Sequence, residues 1–264
     1  MDAEGIAVVT GASRGFGRAI AVALARAGFD VVATMRDPAA GESLPDEVGG
    51  GAGSITVARL DVTEPDTIAL PAGLRVLVNN AGTEEAYLPV EAVPIEDWRH
   101  VFETNVFGLI EVTRRAIPLM RAGGGGVICN ITSASLVMSV PFYSVYRASK
   151  AAVQTLGESL RAEVAPFGIR VVEVLPGPVD TDMLAHSARR PEAADHPGYE
   201  AAAEAMHQGR AAVDEFITPA PAAAAAVLEA ILTDDGPLRW TCDRLGRQLL
   251  TAWQADPDGT LNAR

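Results

Sequence analysis

Seven short β-rich runs alternating with helical patterns limit most what this chain can fold into. They read IAVVT (6–10), DVVATM (30–35), SITVARL (54–60), RVLVNN (75–80), GVICNI (126–131), IRVVEVL (169–175) and LRWTC (238–242). The runs are apolar on both faces, as parallel strands covered by helices on each side must be. Between them, helical patterns fall near residues 16–27, 95–121, 143–165 and 220–232, with Gly28 and Gly168 placed as stop signals. The third and fourth runs are joined by DVTEPDTIALPAGL, whose two prolines leave room for only a short or irregular helix. The pattern predicts an α/β fold: a doubly wound parallel sheet of about seven strands with helices on both faces, a single domain over residues 1–264.

A chain of 264 residues that is 48% hydrophobic and 21% charged can bury one large core. Its formal net charge of -13 repels phosphate backbones and anionic lipid, so neither nucleic acid nor a membrane surface is an expected partner. Any bound phosphate must therefore be held locally. Cys129 and Cys242 fall inside apparent strands and read as buried hydrophobes. Neither a Cys-x-x-Cys pair nor a His-Glu-x-x-His motif is present, and no metal is expected. The amino terminus enters its first strand within five residues, without a basic region and apolar signal core, and no apolar run reaches transmembrane length. A cytoplasmic protein is the expectation.

The loop after the first run reads TGASRGFG, with glycines at 11, 15 and 17. Such a strand-to-helix turn lets backbone N–H groups approach a pyrophosphate at the helix amino end, where the dipole adds favourable charge. Its spacing is Gly-x-x-x-Gly-x-Gly rather than Gly-x-Gly-x-x-Gly. A second pattern lies in PFYSVYRASKAAV (141–153), where Tyr143, Tyr146 and Lys150 share one helix face. By itself that spacing describes a core helix with a snorkelling lysine.

Taken with NNAG (79–82), TNVFG (104–108), NITS (130–133), YRASK (146–150) and PGPVDT (176–181), the glycine loop resembles the short-chain dehydrogenase/reductase superfamily over residues 6 to about 181. Each motif falls where that fold would place it, and their joint occurrence in order is more specific than any one of them. The resemblance implies hydride transfer between a nicotinamide cofactor and a carbonyl or alcohol. Negative charge then develops on oxygen, which needs a proton donor and a hydrogen-bond donor aimed at it. Tyr146 and Ser133, thirteen residues apart, would fill these roles. Lys150, one turn along the same helix, would stabilise tyrosinate and hydrogen-bond the nicotinamide ribose. Asn105 matches the family asparagine that bends the long helix and holds a water in the proton relay. Tyr143 lacks a lysine four residues on and is read, with Phe142 and Met183, as part of the substrate pocket.

Around the cofactor, the resemblance implies Gly11, Ser13, Arg14, Gly15, Phe16 and Gly17 in the first loop, with Asp61 and Val62 near the adenine. Asn79, Ala81 and Gly82 would follow the fourth strand, and Pro176, Gly177, Val179 and Thr181 the sixth, beside Tyr146 and Lys150. Selectivity for NAD usually needs an acid at the end of the second strand, whereas a 2′-phosphate needs cations. Met35 holds that position, Arg36 follows it and Arg14 precedes Gly15, so two guanidiniums would converge on one phosphate. NADP(H) is expected ahead of NAD(H), with Asp37 able to blur the preference by reaching a ribose hydroxyl.

Beyond residue 181 the motifs stop. Residues 182–216 are weakly periodic, contain two prolines and stand where this family places a mobile substrate lid. His186, His196 and His207 lie there without a metal-ligand spacing. The ending GPLRWTCDRLGRQLLTAWQ loosely resembles the branch with retinol and 17β-hydroxysteroid dehydrogenase-like enzymes, a hint of a roomy, apolar pocket. The expected function is NADP(H)-dependent ketone reduction, or the reverse alcohol oxidation, on a small apolar molecule. A non-enzymatic NADP-sensing or scaffold protein would be free to lose Ser133, Tyr146 or Lys150, and a dehalogenase-like lyase would discard the glycine loop and the lysine; all are present. Trp98, Phe102, Leu109, Val112, Ala116 and Leu119 of the long helix cannot all face one narrow stripe, so a homodimer is expected to cover the remainder. A tetramer is the alternative, disfavoured because the tail lacks the glycine-rich ending of many family tetramers.

Overall fold

The seven runs become β1 (Ile6–Val9), β2 (Asp30–Met35), β3 (Ser54–Arg59), β4 (Leu74–Asn79), β5 (Gly126–Ile131), β6 (Ile169–Val174) and β7 (Arg239–Trp240) in the computed structural model, which describes residues 1–187 and 189–261. They form one sheet in the order β3-β2-β1-β4-β5-β6-β7, every pair parallel. The helices are α1 (Gly15–Ala27), α2 (Leu44–Glu47), α3 (Ile95–Phe102), α4 (Leu109–Ala122), α5 (Ser144–Val164), α6 (Asp182–Ser187), α7 (Glu200–Ala211), α8 (Ala220–Leu232), α9 (Arg244–Ala255) and α10 (Pro257–Leu261).

The period of two along each strand divides the core into two layers. Ala7, Val9, Val76, Val78 and Cys129 face α1 and α8, packing with Ile20, Leu24, Val227 and Ile231. Val8, Leu77 and Ile128 face the other way, against Val112, Ala116 and Met120 of α4 and Leu160 of α5. Both faces of the central strands are therefore covered, as their largely apolar runs require, while the edge strand β3 leaves Ser54, Thr56 and Arg59 exposed. Gly28 closes α1 with its N–H on the Leu24 and Ala25 carbonyls, and Gly168 turns at φ +69° into β6.

Four features differ from the sequence reading. The pattern at 95–121 is not one α-helix: between α3 and α4, residues Glu103–Gly108 form a π-helical turn. Gly108 lies so close to Val62 that a Cβ would sit 2.8 Å from the valine Cβ. The last strand is only two residues long, so Cys242 falls beyond it, though still buried at 6% exposure. Residues 182–216 carry two helices, α6 and α7; alanine gives α7 its propensity without an apolar stripe for a periodicity search to find. Ala188 and the His186 side chain, which belong to that segment, lie outside the described residues. Finally, α9 was not anticipated; Asp243 caps it by accepting from Gly246 N at 2.6 Å.

A polar row crosses the sheet in one register, pairing Asn79 with Asn130, Asn130 with Glu173, and Glu173 with Arg239. Glu173 is fully buried, and neither carboxylate oxygen has a hydrogen-bond partner among the described residues. Arg239 Nε stands 3.6 Å away, its guanidinium drawn also to Glu158. Gly157 of α5 leaves the space, since a Cβ there would collide with Glu173 Oε1. Burial, only partly offset by Arg239, pushes the Glu173 carboxyl up from 4.5 to about 8. The fold thus prefers the protonated form. As pH rises from 4.5 towards about 8 the unfolded chain ionises first, so native stability is lost across that window at up to about 1.4 kcal/mol per pH unit. Glu173→Gln removes this titration: its melting temperature should exceed that of the parent by a margin that grows through the window and levels off above about 8. Parallel melting curves against pH would contradict the account.

Candidate active site

Strand order reverses between β1 and β4, and along the carboxyl ends there a cleft of about 770 Å³ opens. Its floor is stitched by two side chains. Thr10 Oγ1 accepts from the N–H groups of Asn80 and Ala81, each at 3.0 Å. Asn80 Nδ2 donates to the carbonyls of Thr10 at 2.9 Å and Gly11 at 3.1 Å. Gly11 needs its φ of +66° to make this turn, and a Cβ on Gly17 would collide with Asn80 Nδ2 and the Gly11 carbonyl. The result is a cradle at the amino end of α1, shaped for close approach of a pyrophosphate to backbone N–H groups. Ser13, Arg14, Gly15 and Phe16 line it together with Gly11 and Gly17.

Asn79, expected at the cofactor, does not line the cleft. Strand alternation turns it to the α4 side, where Nδ2 donates to Thr113 Oγ1 and Asn130 Oδ1, both at 2.9 Å. Asn80 is the asparagine of the cleft wall, beside Ala81 and Gly82. Asn105 is also held away from open space. Its Nδ2 donates to the Thr83 carbonyl at 2.9 Å and Ser149 Oγ at 3.0 Å, while Oδ1 accepts from Thr83 N at 2.8 Å. The π turn thereby ties the loop after β4 to α5, with Asn105 and Lys150 flanking Gly82.

The buried face of α5 presents Tyr146 and Lys150 to the cleft, with Ser133 across from them at the end of β5. Lys150 Nζ donates to the Ile131 carbonyl at 2.8 Å and lies 5.6 Å from the centroid of the Tyr146 ring. Burial lowers the lysine to about 8. Burial, and then the charge of Glu84, raises the Tyr146 phenol above its ordinary value, with the Ser133 hydroxyl pulling the other way. Ser133 Oγ shares a 2.9 Å hydrogen bond with Ser135 Oγ and accepts from Ser135 N at 3.2 Å. Tyr143 stacks on Tyr146, ring centroids 4.8 Å apart, and Met183 reaches the same cleft. Phe142, expected in the substrate pocket, instead borders a small recess next to it, its ring edge-on to Tyr199 at 5.9 Å and its φ held at +59°.

At the opposite end Met35 is buried, whereas Arg36 is exposed and lines the cleft. Arg14 lies 3.4 Å from Asp182, both largely in solvent. The Asp37 carboxylate is occupied locally, accepting from Ala39 N at 3.0 Å. Asp61 accepts from the Thr63 N–H and hydroxyl at 2.9 and 2.8 Å, and with Val62 forms a further stretch of wall. Pro176, Gly177, Val179 and Thr181 complete the side after β6. Asp243, 4% exposed, fixes that side by accepting from Gly177 N at 2.6 Å. The sequence reading passed over Asn80, Glu84 and Asp243. Alternation within NNAG was a signal for the first, and the helix cap three residues before Gly246 for the third; Glu84 is recognisable through contacts that the fold makes, among them one with Tyr143, 59 residues away.

The family model described as short chain dehydrogenase matches residues 5–192. An uncharacterized oxidoreductase of Bacillus subtilis, YusZ, is 42% identical over 191 residues, 69% of this chain and 68% of that protein. A Burkholderia cenocepacia short chain dehydrogenase crystallised in complex with NADP superposes with a TM-score of 0.77 at 27% identity, covering 98% of this chain and 97% of the other. A Burkholderia phymatum short chain dehydrogenase/reductase in complex with NAD gives 0.78 at 25% identity, covering 100% and 98%.

Proposed function

This chain belongs to the short chain dehydrogenase family of oxidoreductases, and we propose that it reduces the carbonyl group of a small, largely apolar molecule with NADP(H). The observation that carries the reading is the convergence of Ser133, Tyr146 and Lys150 on the cleft that also holds the glycine cradle. When bound, the reduced nicotinamide supplies the hydride. Ser133 donates a hydrogen bond to the substrate oxygen, and Tyr146, which keeps its proton near neutral pH, delivers that proton as negative charge develops there. Lys150 is placed beside the tyrosine by its bond to Ile131, and Asn105 positions the loop through Thr83. Preference for NADP(H) over NAD(H) is supported by exposed Arg14 and Arg36, by the absence of an acid at Met35 and by the local engagement of Asp37.

Residues 182–216 serve as the substrate lid in this reading. Met183, Leu184 and Arg189 line the cleft, and the segment rests on the loop after β4, with Ala193 N donating to the Tyr87 carbonyl at 2.9 Å and Tyr87 N to Glu192 at 3.1 Å. A cytoplasmic setting accords with the acidic surface, and among the described residues no helix is long and apolar enough to cross a membrane. For assembly, Leu109, Val112 and Ala116 are already buried within the chain, but Phe107 is 56% exposed and Phe102, Ile110 and Leu156 are only partly covered. A homodimer through α4 and α5 would cover them, and a tetramer is the less favoured alternative.

Three measurements check this reading. Tyr146→Phe should leave NADPH binding nearly intact while lowering turnover by about two or more powers of ten, and Tyr143→Phe should not; the reverse pattern would mean the wrong tyrosine was chosen. Arg36→Ala should weaken NADPH by roughly 1.5–3 kcal/mol, about ten- to a hundredfold, with NADH little changed; equal losses would remove the case for phosphate recognition. Light scattering should give twice the chain mass of 27.5 kDa, and a monomer would refute the dimer.

A further inference from the structure

A serine hydroxyl offers one proton and two lone pairs, and carbonyl reduction at this site needs the Ser133 proton on the substrate oxygen. In the folded chain Ser133 Oγ already has a neighbour: Ser135 Oγ lies 2.9 Å away, and either hydroxyl of the pair is able to donate to the other. One lone pair of Ser133 takes the Ser135 N–H at 3.2 Å. For the Ser133 proton to be free for the substrate, the Ser135 hydroxyl must be the donor across the 2.9 Å contact, where it fills the second lone pair. Both acceptor places of Ser133 are then occupied from one residue. The direction left open is that of its own proton.

Ser135 is well held for this task. It lies in the short helical turn Ala134–Val137 that follows β5 and has Ser133 as its N-cap. The turn is tied to its surroundings by Ala134 N, which donates to the Pro176 carbonyl at 2.8 Å, and by Arg147 Nε, which donates to the Ser135 carbonyl at 2.8 Å. Arg147 follows Tyr146 directly on α5, so the backbone of Ser135 is fastened to the helix that carries the tyrosine. Ser133 lines the cleft whereas Ser135 does not, and any effect of Ser135 on the substrate must pass through Ser133. We propose that Ser135 is a positioning residue for the reduction: its hydroxyl donates to Ser133 Oγ, turns the Ser133 proton towards the substrate oxygen and strengthens that hydrogen bond as negative charge develops. The inference rests on the reading of Ser133 as a hydrogen-bond donor to that oxygen. Its physical basis is that linked hydrogen bonds polarise one another, and that a donor already aimed needs no reorganisation at the moment of reaction. The benefit is greatest where the oxygen carries most charge, in the transition state, and so belongs to kcat more than to KM.

The test follows NADPH oxidation with benzaldehyde, hexanal, acetophenone and cyclohexanone as probes, and uses whichever of them the parent chain reduces fastest. Ser135→Ala keeps the N–H and removes only the hydroxyl; it should lower kcat about three- to tenfold while KM changes by less than about twofold. Ser135→Thr, which keeps the hydroxyl, should stay within about twofold of the parent. In a chain that already carries Ser133→Ala, adding Ser135→Ala should lower kcat by less than about a further twofold, because no Ser133 hydroxyl remains for it to orient. An unchanged kcat in Ser135→Ala overturns the inference, as does a threonine variant as impaired as the alanine one. An equal loss with and without the Ser133 hydroxyl also overturns it, since that is the result of a purely structural role. Should Ser135→Ala fail to fold, Ser135→Cys, whose S–H is a weak donor, takes its place with the same expectations. A parent chain that reduces none of the probes would instead sink the functional reading, and this inference with it.

Discussion

The amide of Asn80 holding the carbonyls of Thr10 and Gly11 is the contact on which the rest of the site depends. β1 and β4 are neighbours in the sheet although Thr10 and Asn80 are 70 residues apart in the chain, and at their carboxyl ends this amide joins the Thr10 hydroxyl in closing the gap where strand order reverses. Thr10, almost fully buried, accepts two backbone N–H groups and donates its own proton to Val78 at 3.3 Å, so few of these polar groups are left to water. From this stitch a line of hydrogen bonds runs on through the loop after β4. Thr83 is gripped by Asn105, Asn105 donates to Ser149, and Ser149 donates to the Tyr146 carbonyl at 2.7 Å. The glycine cradle and the helix that carries Tyr146 and Lys150 are thus parts of one bonded framework.

The electrostatics of the site follow from burial as much as from pairing. Lys150 is only 4% exposed and Tyr146 8%, and taking each from water disfavours its charged form, so the lysine comes down and the tyrosine goes up. The sequence argument weighed only the attraction between cation and tyrosinate. In the folded chain, desolvation is the larger influence on both groups, and the Glu84 charge adds to it on the tyrosine. The same physics acts further along the face of the sheet that α5 covers, where Glu173 is buried without a hydrogen bond among the described residues and tends to keep its proton. Asn79 and Asn130, which might be mistaken for site residues from their motifs, belong to that structural row.

Much of the fold could be read from the chain, because strand and helix periods and glycine stops are local properties. Six of the seven strands lie within a residue of where the runs place them, and the helix carrying Tyr146 begins and ends within one residue of expectation. The misreadings have equally local causes. A π turn differs from an α-helix by one residue in its hydrogen bonding and leaves the apolar pattern continuous, so 95–121 looked uniform. β7 has a single neighbour and two paired residues, and its apolar run continues into the buried turn at Cys242. Alanine-rich α7 lacks a broad apolar stripe, which is the signal a periodicity argument uses, whereas α9 carries one in Leu245, Leu249, Leu250 and Trp253 that was legible in the sequence and went unread.

By itself the sequence determined the class of fold, the place of the nucleotide cradle and the order in which Ser133, Tyr146 and Lys150 occur, since each depends on residues close together or on motifs at fixed spacing. Only the tertiary structure decided which asparagine faces the cleft, that Asn105 spends its side chain on Thr83, and that Glu84 joins Tyr87 and Tyr143 beside Tyr146. Those outcomes turn on which way a side chain points at the end of a strand and on contacts made across scores of residues. Neither is encoded in a local period: a one-residue step along a strand reverses the face a side chain occupies, and a buried charge acquires its meaning from neighbours that only the folded chain assembles.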